Sequence, residues 1–470
     1  MTDSAVSPAS PVSALVERLS DDIRSGVLPP GAALPTHRKL ASQYGIAIAS
    51  ATKVYAKLRD LGLVVGEVGR GTFVRDRPMQ REWDVDDEAR LSSSAVDLSF
   101  NHPSWPDQSE LLRATLRELA TAGDLSALMH QQPPGGRQHE REAVAAYLRR
   151  ARGIDVTGEC VFLVGGAQQG LDVVVRTALR PGDAVAVDAL TYPGFKMTAS
   201  LAGLALKPVA AGHSEHSERS VPSAPSARSG HVVPDLDALE AVCRRHAVRA
   251  IYTMPTLHNP LGWVLSTAQR RRLVEIARRY DCLIIEDATY AYLVDNAGPS
   301  IVTLAPERTF YVSSLSKSVA TGLRFGYVVA PETYAAQVKR VVRASYWSLS
   351  SVVTAIATRW LASGDVERLE GRQRTQAKWR QTVAREALRG MEVVANPSSL
   401  FLWLPLPEGL RMDRVASALA ARGIAVSKAQ AYATTRHAPH ALRLGLSSMS
   451  EAQVAPVLAE VREVIERMPF

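Results

Sequence analysis

The chain has 470 residues, 46% of them hydrophobic, which is enough for two or three domains with a sizeable core. No apolar run approaches the roughly 18 residues of a membrane span, and the start Met1-Thr2-Asp3-Ser4 has neither the basic nor the apolar region of an export signal. Three scattered cysteines (Cys160, Cys243, Cys282) suit neither a disulfide framework nor a zinc site and point to a reduced, cytoplasmic setting, while a net charge of +8 permits contact with nucleic acid without demonstrating it.

A first helix is predicted from Pro11, with Leu15, Leu19 and Ile23 as its apolar stripe. Gly26 and Pro29-Pro30-Gly31 end it. Thr36 is a good N-cap for a short second helix with Leu40, Ala41 and Tyr44 turned inward, and Gly45 breaks that helix. A third helix follows from about Ala49 to Leu61, with Val54, Leu58 and Leu61 on one side. Leu63-Val64-Val65 and Thr72-Phe73-Val74 then read as two strands around the basic tip Gly69-Arg70-Gly71. This is the layout of a winged helix-turn-helix, whose last helix enters the major groove. Arg38, Lys39, Ser50, Lys53, Lys57 and Arg70 fall on the elements that face DNA, where the cations would bind phosphates.

The runs SGVLPPGAALPTHRKLASQYGI and GLVVGEVGRGTFV resemble the DNA-binding domain of the GntR family across nearly all of residues 11–75. One departure stands out. Where that family usually has Ser-Arg-x-Thr at the start of the recognition helix, this chain has Ala47-Ile48-Ala49-Ser50, so Ile48 replaces an arginine.

Residues 76–96 mix charges, Pro78 and a serine run without periodicity and read as a linker; 211–230 read as an irregular surface loop. Between and beyond them, short apolar strands alternate with helices: 161–164, 184–187, 250–253, 282–285 and 309–312. That order predicts an α/β domain with a mostly parallel sheet covered on both faces, and ligands of such sheets gather at the carboxyl ends of the strands. Polar residues follow those ends. Gly165-Gly166-Ala167-Gln168-Gln169-Gly170 is a strand-to-helix turn suited to one phosphate, with the helix expected over 171–179. Tyr192 is either a core tyrosine or a plate for a flat ring; Asn259 and Tyr290 are turn and core residues or donors to a phenolate. Asp287 is a helix cap or a buried partner for a ring nitrogen. Lys317, among Ser313, Ser314, Ser316 and Ser318, is a solvated strand end or a reactive amine, with Arg324 near enough for an anion.

Taken in order, these pieces resemble the fold-type I aminotransferases, over roughly residues 97–470. The resemblance implies pyridoxal 5′-phosphate as cofactor and Lys317 as the internal aldimine lysine. It places Gly166, Ala167 and Gln168 on the phosphate through backbone amides, with Ser314 and Arg324. Tyr192 would stack on the ring, Asn259 and Tyr290 would bond the ring oxygen, and Asp287 the ring nitrogen. Arg443, in Ala441-Leu442-Arg443-Leu444-Gly445, would bind a substrate or effector carboxylate. The segment 128–141, where relatives often have a tyrosine reaching the partner's phosphate, has His130 and Gln131 instead, and Leu190 stands where many have proline.

A GntR-like domain (10–75), a linker (76–96) and an aminotransferase-like domain (97–470) together resemble the MocR regulators. That resemblance implies a homodimer that binds operator DNA and senses an amine, an amino acid or the cofactor itself. The alternative is a working aminotransferase with an accessory winged helix.

Overall fold

A computed structural model describes residues 11–24, 27–29, 31–60, 63–67, 71–74, 96–102, 107–122, 124–213, 232–407, 409–435 and 438–468. The chain divides into two compact units, within residues 1–86 and 87–470.

In the first unit α1 (Pro11–Arg24), α2 (His37–Tyr44) and α3 (Ile48–Asp60) precede an antiparallel hairpin of β1 (Val64–Glu67) and β2 (Gly71–Val74). The Thr36 hydroxyl accepts the Lys39 N–H at 3.3 Å and starts α2. Gly45 ends it at φ 62°, a left-handed conformation that glycine adopts without a Cβ clash. Leu15, Leu19, Leu40, Val54, Leu58, Val64 and Val74 close one small core. Arg38, Lys39, Lys53 and Lys57 are exposed and Ser50 is half-buried. Arg70 and residues 75–95, which hold most of the expected linker, lie outside the described residues. Val96, assigned to the linker's end, is already paired: Val96–Asp97 runs parallel to Ile424–Ala425.

The second unit is built on seven strands: β3 (Val161–Val164), β4 (Ala184–Asp188), β5 (Ala205–Val209), β6 (Val248–Thr253), β7 (Leu283–Asp287), β8 (Thr309–Ser314) and β9 (Gly326–Val329). Their order is β3-β9-β8-β7-β6-β4-β5. Only β9 runs against its neighbours, so the sheet is mostly parallel. Ile284 and Ile285, adjacent on β7, enter different apolar clusters, because side chains alternate along a strand and both faces of this sheet are covered. A second antiparallel sheet joins β10 (Phe401–Pro405), β11 (Ser427–Lys428) and β12 (Ala441–Gly445), with β12 central.

Two expectations are corrected. The helix after the glycine-rich turn, α4 (Ala167–Ala178), begins at Ala167 rather than Leu171, so Gly166 is its N-cap. The segment expected to be irregular from residue 211 opens with Ala211–His213 paired antiparallel to Val232–Pro234; 214–231 lie outside the described residues. Among the described residues no helix is long and apolar enough to cross a membrane.

Candidate functional site

Sheet register assembles the site. Ser314 on β8 pairs with Gly326 on β9, and Gly326 pairs with Val164 on β3. Because β9 runs the other way, its entry, with Arg324 just before it, meets the exits of β3 and β8. Gly165-Gly166 and the turn carrying Lys317 are therefore brought to one end. On the other side of β8, Val312 pairs with Asp287, the last residue of β7.

At that end Gly166 (φ 99°) starts α4 with no side-chain cap, so the first-turn amides point out of the helix. Arg324, itself left-handed at φ 50°, donates from Nη2 to the Gly165 carbonyl at 2.8 Å. A Cβ on Gly166 would lie 2.9 Å from that nitrogen, and one on Gly326 would lie 2.8 Å from the Gly166 backbone. The glycines thus keep a cradle open beside a guanidinium. Gln168 turns away, its Nε2 donating to the Gly194 carbonyl (2.9 Å) and the Thr198 hydroxyl (2.8 Å).

Asp287 is buried and accepts three hydrogen bonds: from the Tyr252 hydroxyl at 2.8 Å, and from the Thr289 N–H and hydroxyl at 3.0 and 2.7 Å. Burial nevertheless raises its pKa from the ordinary aspartate value. A cationic group opposite would bring it back down. Tyr192 precedes α5 (Pro193–Leu201), and its ring folds over Gly194, where a Cβ would come within 2.5 Å of it. Burial, and then the nearby Asp287 and Tyr290, push the Tyr192 phenol pKa upward. Tyr252 stacks on Phe195 at 3.8 Å. Asn259 is buried, and its Oδ1 has no hydrogen-bond partner among the described residues.

Lys317 is half-buried. Its Nζ donates to the Asn101 carbonyl at 2.9 Å and lies 3.4 Å from the centre of the Phe100 ring. Arg443 is 3% exposed, so each of its donors matters. One, Nη1, reaches the Ser99 carbonyl at 3.1 Å. The Asn101 amide, oriented to satisfy both of its ends, accepts from Arg443 Nη2 (2.9 Å) and the Tyr290 hydroxyl (3.2 Å), and donates to Ser447 Oγ (3.0 Å) and the Leu400 carbonyl (2.9 Å). Arg443 Nε is buried without a hydrogen-bond partner among the described residues.

Residues 98–101 therefore form a strap across Lys317 and Arg443. The strap lies so close to β12 that a Cβ on Gly445 would sit 2.7 Å from the Phe100 carbonyl oxygen. The sequence reading did not single out Ser99, Phe100, Asn101 or Tyr252. Of the residues it did name, Arg324, Gly166 and Ser314 meet at the glycine-lined end, Asp287 and Tyr192 lie near one another, and Lys317, Tyr290 and Arg443 are linked through Asn101.

The model of the class I and II aminotransferases matches residues 93–461. The chain belongs to that family. Residues 11–74 match the GntR family of bacterial regulatory proteins. The uncharacterized HTH-type transcriptional regulator YdeF of Bacillus subtilis is 25% identical over 429 residues, covering 91% of this chain and 87% of that one. The HTH-type pyridoxine biosynthesis transcriptional regulator PdxR of Corynebacterium glutamicum is 26% identical over 469 residues, covering 98% of each. Among solved structures, an archaeal alanine:glyoxylate aminotransferase superposes with a TM-score of 0.72 at 22% identity, over 82% of this chain and 95% of that one, a likeness of fold. The combination of a GntR-type DNA-binding domain with an aminotransferase-like domain is the MocR arrangement, and the aminotransferase fold family in general depends on pyridoxal phosphate.

Proposed function

We propose that this MocR-type chain is a cytoplasmic, homodimeric transcriptional regulator. Residues 10–75 bind operator DNA, 76–96 link the halves, and 97–470 use bound pyridoxal phosphate to sense an amine, an amino acid or the cofactor itself. The observation that carries the reading is one amine, Lys317, held at the sheet end that also presents a buried carboxylate, Asp287, and a glycine-lined guanidinium, Arg324.

The residues fit the cofactor. The cofactor supplies an aldehyde for amines and an electron-withdrawing ring. The first-turn amides of Ala167 and Gln168, with Ser314 and Arg324, would hold its phosphate, while the Gly166 N–H donates to the Val164 carbonyl at 2.8 Å and Gly166 serves by leaving room. Tyr192 would cover the ring, and the Asn259 amide nitrogen and the Tyr290 hydroxyl would donate to the ring oxygen. Asp287 keeps the ring nitrogen protonated. Lys317 would provide the amine, and Arg443 would receive an effector carboxylate. Signalling requires that the ligand favour one arrangement of the dimer over another.

The second copy has a surface to cover. Leu112 and Leu116 on the helix Gln108–Ala122, Leu125 and Met129 on Leu125–Met129, and Val352 on Ser351–Ser363 are exposed apolar residues on helices that pack together.

An active aminotransferase is the second reading, because Lys317, Asp287 and Arg443 are also what transamination needs. A gel shift on the upstream intergenic DNA, with and without cofactor and candidate amines, separates the two. Retarded DNA whose affinity changes with amine supports the regulator. No binding at low salt, alongside steady keto-acid production, overturns it.

A further inference from the structure

The second helix of a helix-turn-helix reaches base edges with its first turn. The leading edge of that turn in α3, Ala47 to Ala49, is apolar and solvent-facing, with the half-buried Ser50 and the exposed Thr52 following it. Ile48 is 52% exposed. Ala47 and Ala49 beside it are exposed as well. The packing face of α3 is made by Ala51, Val54, Tyr55 and Leu58, and Ile48 has no part in that core. The first turn holds no acidic residue. Exposed cations bracket it: Lys53 and Lys57 further along α3, Arg38 and Lys39 on α2.

Cations placed in this way suit the phosphates on either side of a groove, and they carry no sequence information. The apolar turn between them does. An isoleucine pressed against guanine, adenine or cytosine edges would strip water from hydrogen-bonding groups and replace none of those bonds. The major groove offers one apolar group, the thymine C5-methyl. We infer that Ile48, with Ala47 and Ala49, reads thymine methyl groups, so that each half-site carries A·T pairs where this turn docks. The inference rests on the DNA-binding reading above and names the chemistry of its ligand. Because the lysines supply sequence-independent affinity, loss of Ile48 reduces discrimination more than binding.

The test uses the full-length protein and duplexes that it selects from a random pool. Thymines at the selected positions are replaced singly by deoxyuridine, which lacks only the methyl group, and binding is followed by fluorescence anisotropy at fixed salt. Each contacted methyl removed is expected to weaken binding roughly three- to fivefold. Ile48→Ala is expected to narrow the difference between the two duplexes, the methyls contacted by Ala47 and Ala49 still being read, and Ile48→Arg to move the preference to guanine. Equal binding of thymine and deoxyuridine duplexes by the unaltered protein, or selection of G·C pairs at those positions, overturns the inference and leaves DNA binding intact. Failure to retain any duplex at low salt overturns the DNA-binding reading and this inference with it. The base substitution alters only the DNA, so the result does not depend on how a variant folds.

Discussion

Lys317 Nζ donates to the main-chain oxygen of Asn101 at 2.9 Å, so the candidate reactive amine is held by the segment through which the chain enters the larger unit. The Asn101 side chain extends the link to Arg443 and Tyr290. A ligand that claims the amine or the guanidinium competes with the strap. Asn101→Ala leaves two buried donors short of an acceptor, and unsatisfied buried groups cost about 1–3 kcal/mol each. The variant is expected to melt at lower temperature while still turning yellow with added pyridoxal phosphate, since a main-chain oxygen survives the substitution. A melting point equal to that of the unaltered protein would show that the bridge contributes nothing.

Lys317→Ala tests the amine itself. With no primary amine at the sheet end, purified protein mixed with pyridoxal phosphate is expected to show no visible absorbance from a lysine linkage and no label after borohydride reduction. Folding should be little affected, because the side chain is only half-buried. A variant that stays yellow, with a reducible linkage, would remove Lys317 from its assigned role.

Lys53 and Lys57 are exposed on α3. A lysine that neutralises one phosphate releases about one counterion, so its loss lowers the slope of log affinity against log salt by about 1. Lys53→Ala is expected to weaken all duplexes by a similar factor and to flatten that slope. Measured binding isotherms at several salt concentrations check both. An unchanged slope would place Lys53 away from the backbone.

The site was legible where local pattern dictates it. Buried strands are continuous apolar runs, so a polar residue at the end of one, such as Asp287 after Ile284-Ile285, stands out. The start of α4 lies four residues before the expected Leu171 because Gly166 and Gly170 both resemble turn residues. Only Gly166 needs its glycine for conformation. Gly170 lies inside the helix, where a Cβ would meet Val312 Cγ1 at 2.8 Å, so its role is to let α4 press onto the sheet. Tyr252 was counted as a strand residue, yet its hydroxyl reaches Asp287. The strap has no local signal in the sequence. Asn101 follows a stretch without periodicity, and the residue it holds is 216 positions away in the chain. Spacing arguments act within an element, and nothing near Asn101 announces a partner so remote.

Glu286 lies beside Asp287 on β7 but points to the opposite face, where its carboxylate accepts the Val302 N–H at 2.9 Å. Burial pushes its pKa up to about 7, against the opposing pulls of that bond and of Arg270. The folded protein therefore holds this proton more tightly than the unfolded chain, whose glutamates titrate near about 4.3. Its contribution to stability is complete below that lower pKa and is lost as pH rises through about 7. A shift of this size corresponds to a loss of about 4 kcal/mol once the group is ionised. Glu286→Gln keeps an acceptor for Val302 and cannot ionise. Arg270 retains its bonds to the Leu265 carbonyl (3.0 Å), the Pro255 carbonyl (3.1 Å) and the Thr256 hydroxyl (2.7 Å). Denaturant unfolding of the unaltered protein and the variant from about pH 5 to about pH 8.5 is therefore expected to show stability falling in the first and much flatter in the second. Parallel curves would mean that Glu286 titrates alike in the folded and unfolded states.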